Sequence, residues 1–139
     1  MSALELVDAV IANIEALDPH LNAVIHRRFE RARAEAKTPR DGPFAGVPFL
    51  VKDLIAHSEG DPFYEGIRGV ATQKYRARAD TALIRRFRDA GLTCLGRTNT
   101  PELGLVPTTE PTLSGPTRNP WDVTRGKRVQ RARRHFTDE

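Results

Sequence analysis

A chain of 139 residues with 39% hydrophobic and 29% charged residues has the balance of an ordinary globular protein, which excludes collagenous, disulfide-framework and charge-dominated disordered classes. No run approaches the ~18 apolar residues needed to span a bilayer, and the N-terminus carries acids where a secretory signal carries Lys or Arg, so a cytoplasmic protein is expected. The net charge of +4 is unevenly placed: Lys127, Arg128, Arg131, Arg133 and Arg134 against Asp138 and Glu139 put +3 of it in residues 126–139.

Ser2 is placed to cap a first helix, with Glu5 completing a capping box and Leu4, Val7, Val10, Ile11, Ile14 and Leu17 forming an apolar face. Asp18-Pro19 is expected to stop that helix, because proline disfavours helical geometry in the residue before it. Leu21 to Ile25 follows as a short extended segment, and Arg27 to Lys37 as a polar surface helix. After a loop on Thr38 to Pro43, Phe49-Leu50-Val51 is a buried strand interrupted by one cation, Lys52.

Ala56 to Ala79 shows no sustained period and is expected to be a long loop over the surface or at the rim of a site. Asp80 is expected to cap a helix with a buried stripe of Leu83, Ile84 and Phe87, ended by Gly91 in a left-handed conformation. Leu92 to Leu95 forms another short strand, in which Cys94 is expected to be a buried, inert thiol. Thr100-Pro101-Glu102 starts a short helix, and Pro107 to Pro120 is turn-rich. Strand, loop, helix, strand indicates an α/β fold with a right-handed crossover and helices covering a buried sheet.

A lysine in Phe49-Leu50-Val51-Lys52-Asp53-Leu54 has two readings. It points outward or pairs with Asp53, as most lysines do; or it is a partly desolvated amine, able to lose its proton and serve as a general base. The pattern leaves both open.

Gly46-Val47-Pro48 with Lys52-Asp53-Leu54 resembles the lysine segment of the amidase-signature family. Gly96-Arg97-Thr98-Asn99-Thr100-Pro101-Glu102-Leu103-Gly104 and Gly115-Pro116-Thr117-Arg118-Asn119-Pro120-Trp121-Asp122 resemble its next two landmarks, in family order and at family-like spacing. The resemblance runs from about Leu4 to Arg125, so residues 1–125 are expected to be the N-terminal part of an amidase-signature domain. It implies an incomplete α/β fold, a mixed sheet flanked by helices. The wording around Phe49 and Pro107-Thr108-Thr109-Glu110-Pro111 leans toward the branch that includes cyclic amide oligomer hydrolases.

By the same resemblance, the family hydrolyses carboxylic amides with a Ser-Ser-Lys unit, and its lysine matches Lys52. The two serines and the oxyanion-hole amides belong to Gly/Ser-rich segments, typically GGSSGGS for the first, that this sequence does not contain. Residues 126–139 read GKRVQRARRHFTDE, a basic tail unlike the family and expected to be disordered. A shifted reading frame in GC-rich coding sequence would produce Arg-rich text of this kind.

Ser2, Ser58 and Ser114 are the serines present, and each is better placed as a cap, loop or turn residue than as a substitute nucleophile. His57-Ser58 is adjacent in sequence, but neighbouring side chains generally point apart. His20, His26 and His135 lack metal-ligand spacing, so no metal or other cofactor is expected. Asn99 and Glu102 are expected to act structurally, and Asp53 to fix a strand end.

The expectation is a truncated amidase, inactive on its own, with Lys52 as the one catalytic residue present. A small-molecule amide would be its substrate only in a completed site. The alternatives are a subunit that completes its site with a partner carrying the serines, and a small nucleic-acid-binding protein using its basic tail.

Overall fold

The computed structural model describes residues 1–126. The expectation of a disordered tail falls outside the described residues, apart from Gly126, which ends a strand.

Helix α1 spans Ala3–Leu21. It begins with the expected capping box: Glu5 N donates to Ser2 Oγ at 3.2 Å, and Ser2 N donates to the Glu5 carboxylate at 2.7 Å. Val7 and Ile11 are fully buried, with Leu4, Val10 and Ile14 packed beside them, while Leu17 lies exposed beyond the end of the stripe. The expected stop at Asp18-Pro19 does not occur; the helix carries Pro19 in its last turn. That turn is held from outside itself: Asp18 Oδ1 accepts from Ala23 N and Val24 N, its other oxygen pairs with Arg27 at 3.1 Å, and left-handed Asn22 closes the end.

Strand β1 is Val24–Arg27, and α2 follows as Phe29–Lys37. The sequence suggested a polar surface helix, yet Phe29, Ala32 and Ala36 form a buried stripe against α1. The alanines are small enough to let the two helices approach closely.

Strand β2, Pro48–Lys52, pairs in parallel with β3, Thr93–Thr98, and β1 pairs antiparallel with the other side of β3. The order β1-β3-β2 makes a mixed three-stranded sheet, as expected of an α/β fold. Alternation along the strands sorts residues by face. Leu50 and Leu95 join the α1–α2 core, while Phe49, Val51 and Cys94 meet Ile84 and Phe87 of α4, Ala82–Asp89. Cys94 is half-buried rather than buried.

Between β2 and α4 the expected loop contains one short helix, α3, Arg68–Thr72. Five residues are too few to show a period. The α4 cap is Thr81, whose Oγ1 accepts from Ile84 N, because the Asp80 carboxylate is occupied by Glu59 N at 2.7 Å and by Arg88. Leu83 points to solvent, leaving Ile84 and Phe87 as the buried stripe. Gly91 ends the segment at φ 86°, as expected, and a Cβ there would sit 2.8 Å from Ala45 Cα.

Glu102–Gly104 forms a single 3-10 turn rather than a helix. Beyond it, the turn-rich stretch leads into a small hairpin of β4, Arg118–Asn119, and β5, Asp122–Gly126. No helix among the described residues is long and apolar enough to cross a membrane.

Candidate active site

The parallel strands β2 and β3 end side by side, with Lys52 in register with Thr98. In open α/β sheets, ligand sites gather at the C-terminal ends of parallel strands, and that is where Lys52 lies. Its side chain is exposed and does not pair with Asp53.

Asp53 is wholly buried and belongs instead to Arg97, itself 1% exposed. Arg97 Nε donates to Asp53 Oδ1 at 2.9 Å, and Nη2 donates to the Lys52 carbonyl at 3.2 Å and to the Ala56 carbonyl. The guanidinium also lies 5.1 Å from the centre of the Phe63 ring. Tyr64 N donates to the Asp53 carboxylate, and Asp53 N donates to the Thr98 carbonyl at 2.9 Å. A buried ion pair is tolerated only when its remaining donors and acceptors are satisfied, and these bonds do so while gripping the backbone on both sides of Lys52. Asp53 therefore fixes the strand end as expected, through a partner the sequence reading did not assign. The available signal was a second cation inside an apolar strand, Arg97, matching the anomaly of Lys52.

His26, on β1 opposite Arg97, completes the layer. Its Nε2 is 4.0 Å from Asp53 Oδ2 and its ring meets Tyr64 edge-on at 4.9 Å. Burial lowers the His26 pKa and the Arg97 charge adds to that, outweighing the opposing pull of Asp53.

Asn99 organises the adjoining loop. Its Nδ2 donates to the Gly115 carbonyl and Thr117 Oγ1, both at 3.0 Å, and its Oδ1 accepts from Thr100 N and Ser114 Oγ. This is the structural role expected of it. Glu102 is exposed at the start of the 3-10 turn.

Each serine is engaged elsewhere. Ser2 caps α1, Ser114 donates to Asn99 at 2.7 Å, and buried Ser58 accepts from Arg88 Nη2 at 2.9 Å. The His57 ring nitrogen Nδ1 is 2.9 Å from the Ala79 carbonyl, and the ring meets Phe63 edge-on, so His57 and Ser58 do not form a dyad. Among the described residues no group of three or more His, Cys, Asp and Glu side chains could hold a metal ion. An open cavity of about 400 Å³ lined by Arg31, Glu35, Arg40, Arg88 and Thr93 lies at the opposite, N-terminal end of β3, far from Lys52.

The Amidase family model matches residues 5–127. The chain is 48% identical over 125 residues to a 6-aminohexanoate-cyclic-dimer hydrolase of Paenarthrobacter ureafaciens, a match covering 90% of this chain and 25% of that protein. It is 36% identical over 132 residues to the putative amidase AmiB2 of Mycobacterium tuberculosis, covering 90% and 28%. Among solved structures, a 6-aminohexanoate cyclic dimer hydrolase complexed with substrate superposes with a TM-score of 0.87 at 46% identity, over 93% of this chain and 27% of that one. A bacterial aryl acylamidase of the amidase-signature family superposes at 0.81 and 34% identity, over 93% and 29%. The chain thus spans about a quarter of the length of these relatives, aligned with their N-terminal part. Motifs, mixed sheet and family match agree: the chain belongs to the amidase family.

Proposed function

We propose that this chain is the lysine-bearing portion of a carboxylic amide hydrolase, and that the 139-residue polypeptide by itself does not turn over amides. The carrying observation is Lys52 at the C-terminal end of the β2–β3 parallel pair, gripped through its own carbonyl and Asp53 by Arg97. In the complete site Lys52, as a neutral amine, accepts the proton of a nucleophilic serine through a second serine. The serine oxygen bonds to the amide carbonyl, the C–N bond breaks with the proton delivered to the leaving amine, and water then releases the acid. A neutral lysine needs a desolvated setting, and Lys52 is exposed among the described residues, so polypeptide beyond them has to cover it. The likeness to cyclic-dimer hydrolases supports a cyclic or oligomeric amide as substrate. The alternative of a nucleic-acid-binding protein draws no support from the family match.

Two proteins test this: the 139-residue chain, and the same chain with residues 1–125 fused to the downstream three-quarters of the Paenarthrobacter hydrolase. The isolated chain is expected to be inert toward an anilide, a primary amide and the cyclic dimer. The fusion is expected to hydrolyse the dimer, with kcat falling roughly 10²–10⁴-fold in Lys52→Met, the usual contribution of a general base. Turnover by the isolated chain, or an unimpaired Lys52→Met fusion, overturns the reading.

A further inference from the structure

The cavity at the N-terminal end of β3 takes no part in the chemistry assigned to Lys52, yet four separate segments build it. Helix α2 contributes Arg31, Ala34 and Glu35, the loop after it Arg40, the end of α4 Arg88, and the segment entering β3 Leu92. At about 400 Å³ it has the size of a small-molecule site. Its guanidiniums are held from behind. Arg88 Nε lies 2.9 Å from Asp80 Oδ2 and its Nη2 donates to Ser58 Oγ at 2.9 Å, while Arg31 Nε donates to Glu35 Oε1 at 3.1 Å and its Nη1 to Asp61 Oδ1 at 3.4 Å. Arg88 Nη1, Arg31 Nη2 and the Arg40 guanidinium make no hydrogen bond among the described residues. Glu35, the one carboxylate in the wall, is already engaged, since its Oε1 also accepts from Arg28 at 3.0 Å.

We propose that this cavity binds a small monocarboxylic acid, its carboxylate on the Arg40 and Arg88 guanidiniums and its carbon chain over Ala34 and Leu92. Charge sets the valence of the ligand. With the groups that pair to the wall included, the guanidiniums of Arg28, Arg31, Arg40 and Arg88 meet the carboxylates of Glu35, Asp61 and Asp80, which leaves one positive charge unbalanced. One carboxylate matches that excess, whereas a phosphate dianion would overshoot it. A guanidinium fixed along its far edge presents its remaining N–H groups in a fork that fits a carboxylate, and fixing it in advance lowers the ordering cost of binding. Ala34 and Leu92, apolar and incompletely covered, give the carbon chain a surface from which to displace water. Carboxylic acids are what amide hydrolysis releases. That link, unlike the site itself, rests on the amidase reading, and it makes the cavity a second site for the product class, at the end of the sheet opposite Lys52. The bound acid would tie α2 to the end of α4 across the start of β3.

The test uses the intact 139-residue chain, isotope-labelled for heteronuclear NMR, with sodium hexanoate as the probe. Saturable shifts are expected in the Nε–H signals of Arg31 and Arg88 and in the backbone amides of residues 34–40 and 91–93. Ala34→Glu, at an exposed helix position, places a competing carboxylate in the cavity and should abolish saturation. Arg40→Gln, also exposed, should weaken binding roughly tenfold, as loss of a charge-assisted hydrogen bond does. Arg33→Gln, which pairs with Asp8 and Glu30 away from the cavity, should leave binding unchanged. Sodium phosphate at equal ionic strength should produce no saturable shift in the same signals. No saturation with hexanoate, an equal response to phosphate, or binding untouched by both Ala34→Glu and Arg40→Gln overturns the proposal. Amide turnover by the isolated chain would overturn the amidase reading and leave the cavity site in place; an inert chain that does not bind hexanoate would do the reverse.

Discussion

Leu95 and Arg97 stand two residues apart on β3 and are both buried, at 0% and 1% exposure, yet they are accommodated in opposite ways. Leu95 sits among Val7, Ile11, Phe29, Ala32 and Ala36, where burial is favourable in itself, worth roughly 1.5–3 kcal/mol for a large aliphatic side chain. Arg97 is held by one carboxylate, two carbonyls and one aromatic face, and it is there only because Asp53 is. The middle of the sheet is thus built for stability, and its C-terminal end for geometry. An apolar pair at 53 and 97 would fill the space but could not clamp the Lys52 and Ala56 carbonyls.

The sharpest way to break this comparison is to remove the cation and leave its partner. Arg97→Met strands a buried carboxylate, and a loss of about 3–5 kcal/mol is expected in chemical denaturation. Adding Asp53→Leu to it should restore much of that loss, since the unpaired charge goes with it; an equal loss in both variants would mean that Arg97 matters through packing alone. On the apolar side, Leu95→Ala should cost about 2–5 kcal/mol, with no second substitution at 53 able to recover it. The smallest effect concerns His26. Its folded pKa lies below the ordinary value of 6.5, so it contributes stability that is present above pH 6.5 and lost as pH falls through the folded value. Urea midpoints measured from about pH 8 down to 5 should decline on the acid side, and His26→Gln should flatten that part of the curve. A midpoint profile identical in the variant would remove His26 from the polar layer.

Much of the scaffold was legible because it depends on local chemistry. The Ser2–Glu5 capping box, the Val7–Ile11 stripe, the apolar strand before Lys52 and the left-handed Gly91 each rest on residues within a turn or two of one another. Departures arose where distant groups intervened. Pro19 stays helical with Asp18 tied to the start of β1, and Thr81 replaces Asp80 as a cap because Glu59 and Arg88 claim the Asp80 carboxylate. The stripe of α2 went unseen because two of its three members are alanines, whose burial depends on a neighbour close enough to use them.

The sequence by itself determined the family: three motifs in order identify an amidase segment and draw attention to Lys52, because each motif is carried by particular residue types at particular places in the chain. Only the tertiary structure decided what surrounds that lysine. Arg97 and Asp53 are 44 residues apart and His26 precedes both on another strand, and they meet because β2 and β3 run parallel in register with β1 alongside. Strand pairing between remote segments leaves no local periodic trace, so the clamp around Lys52 became visible only once the sheet was assembled.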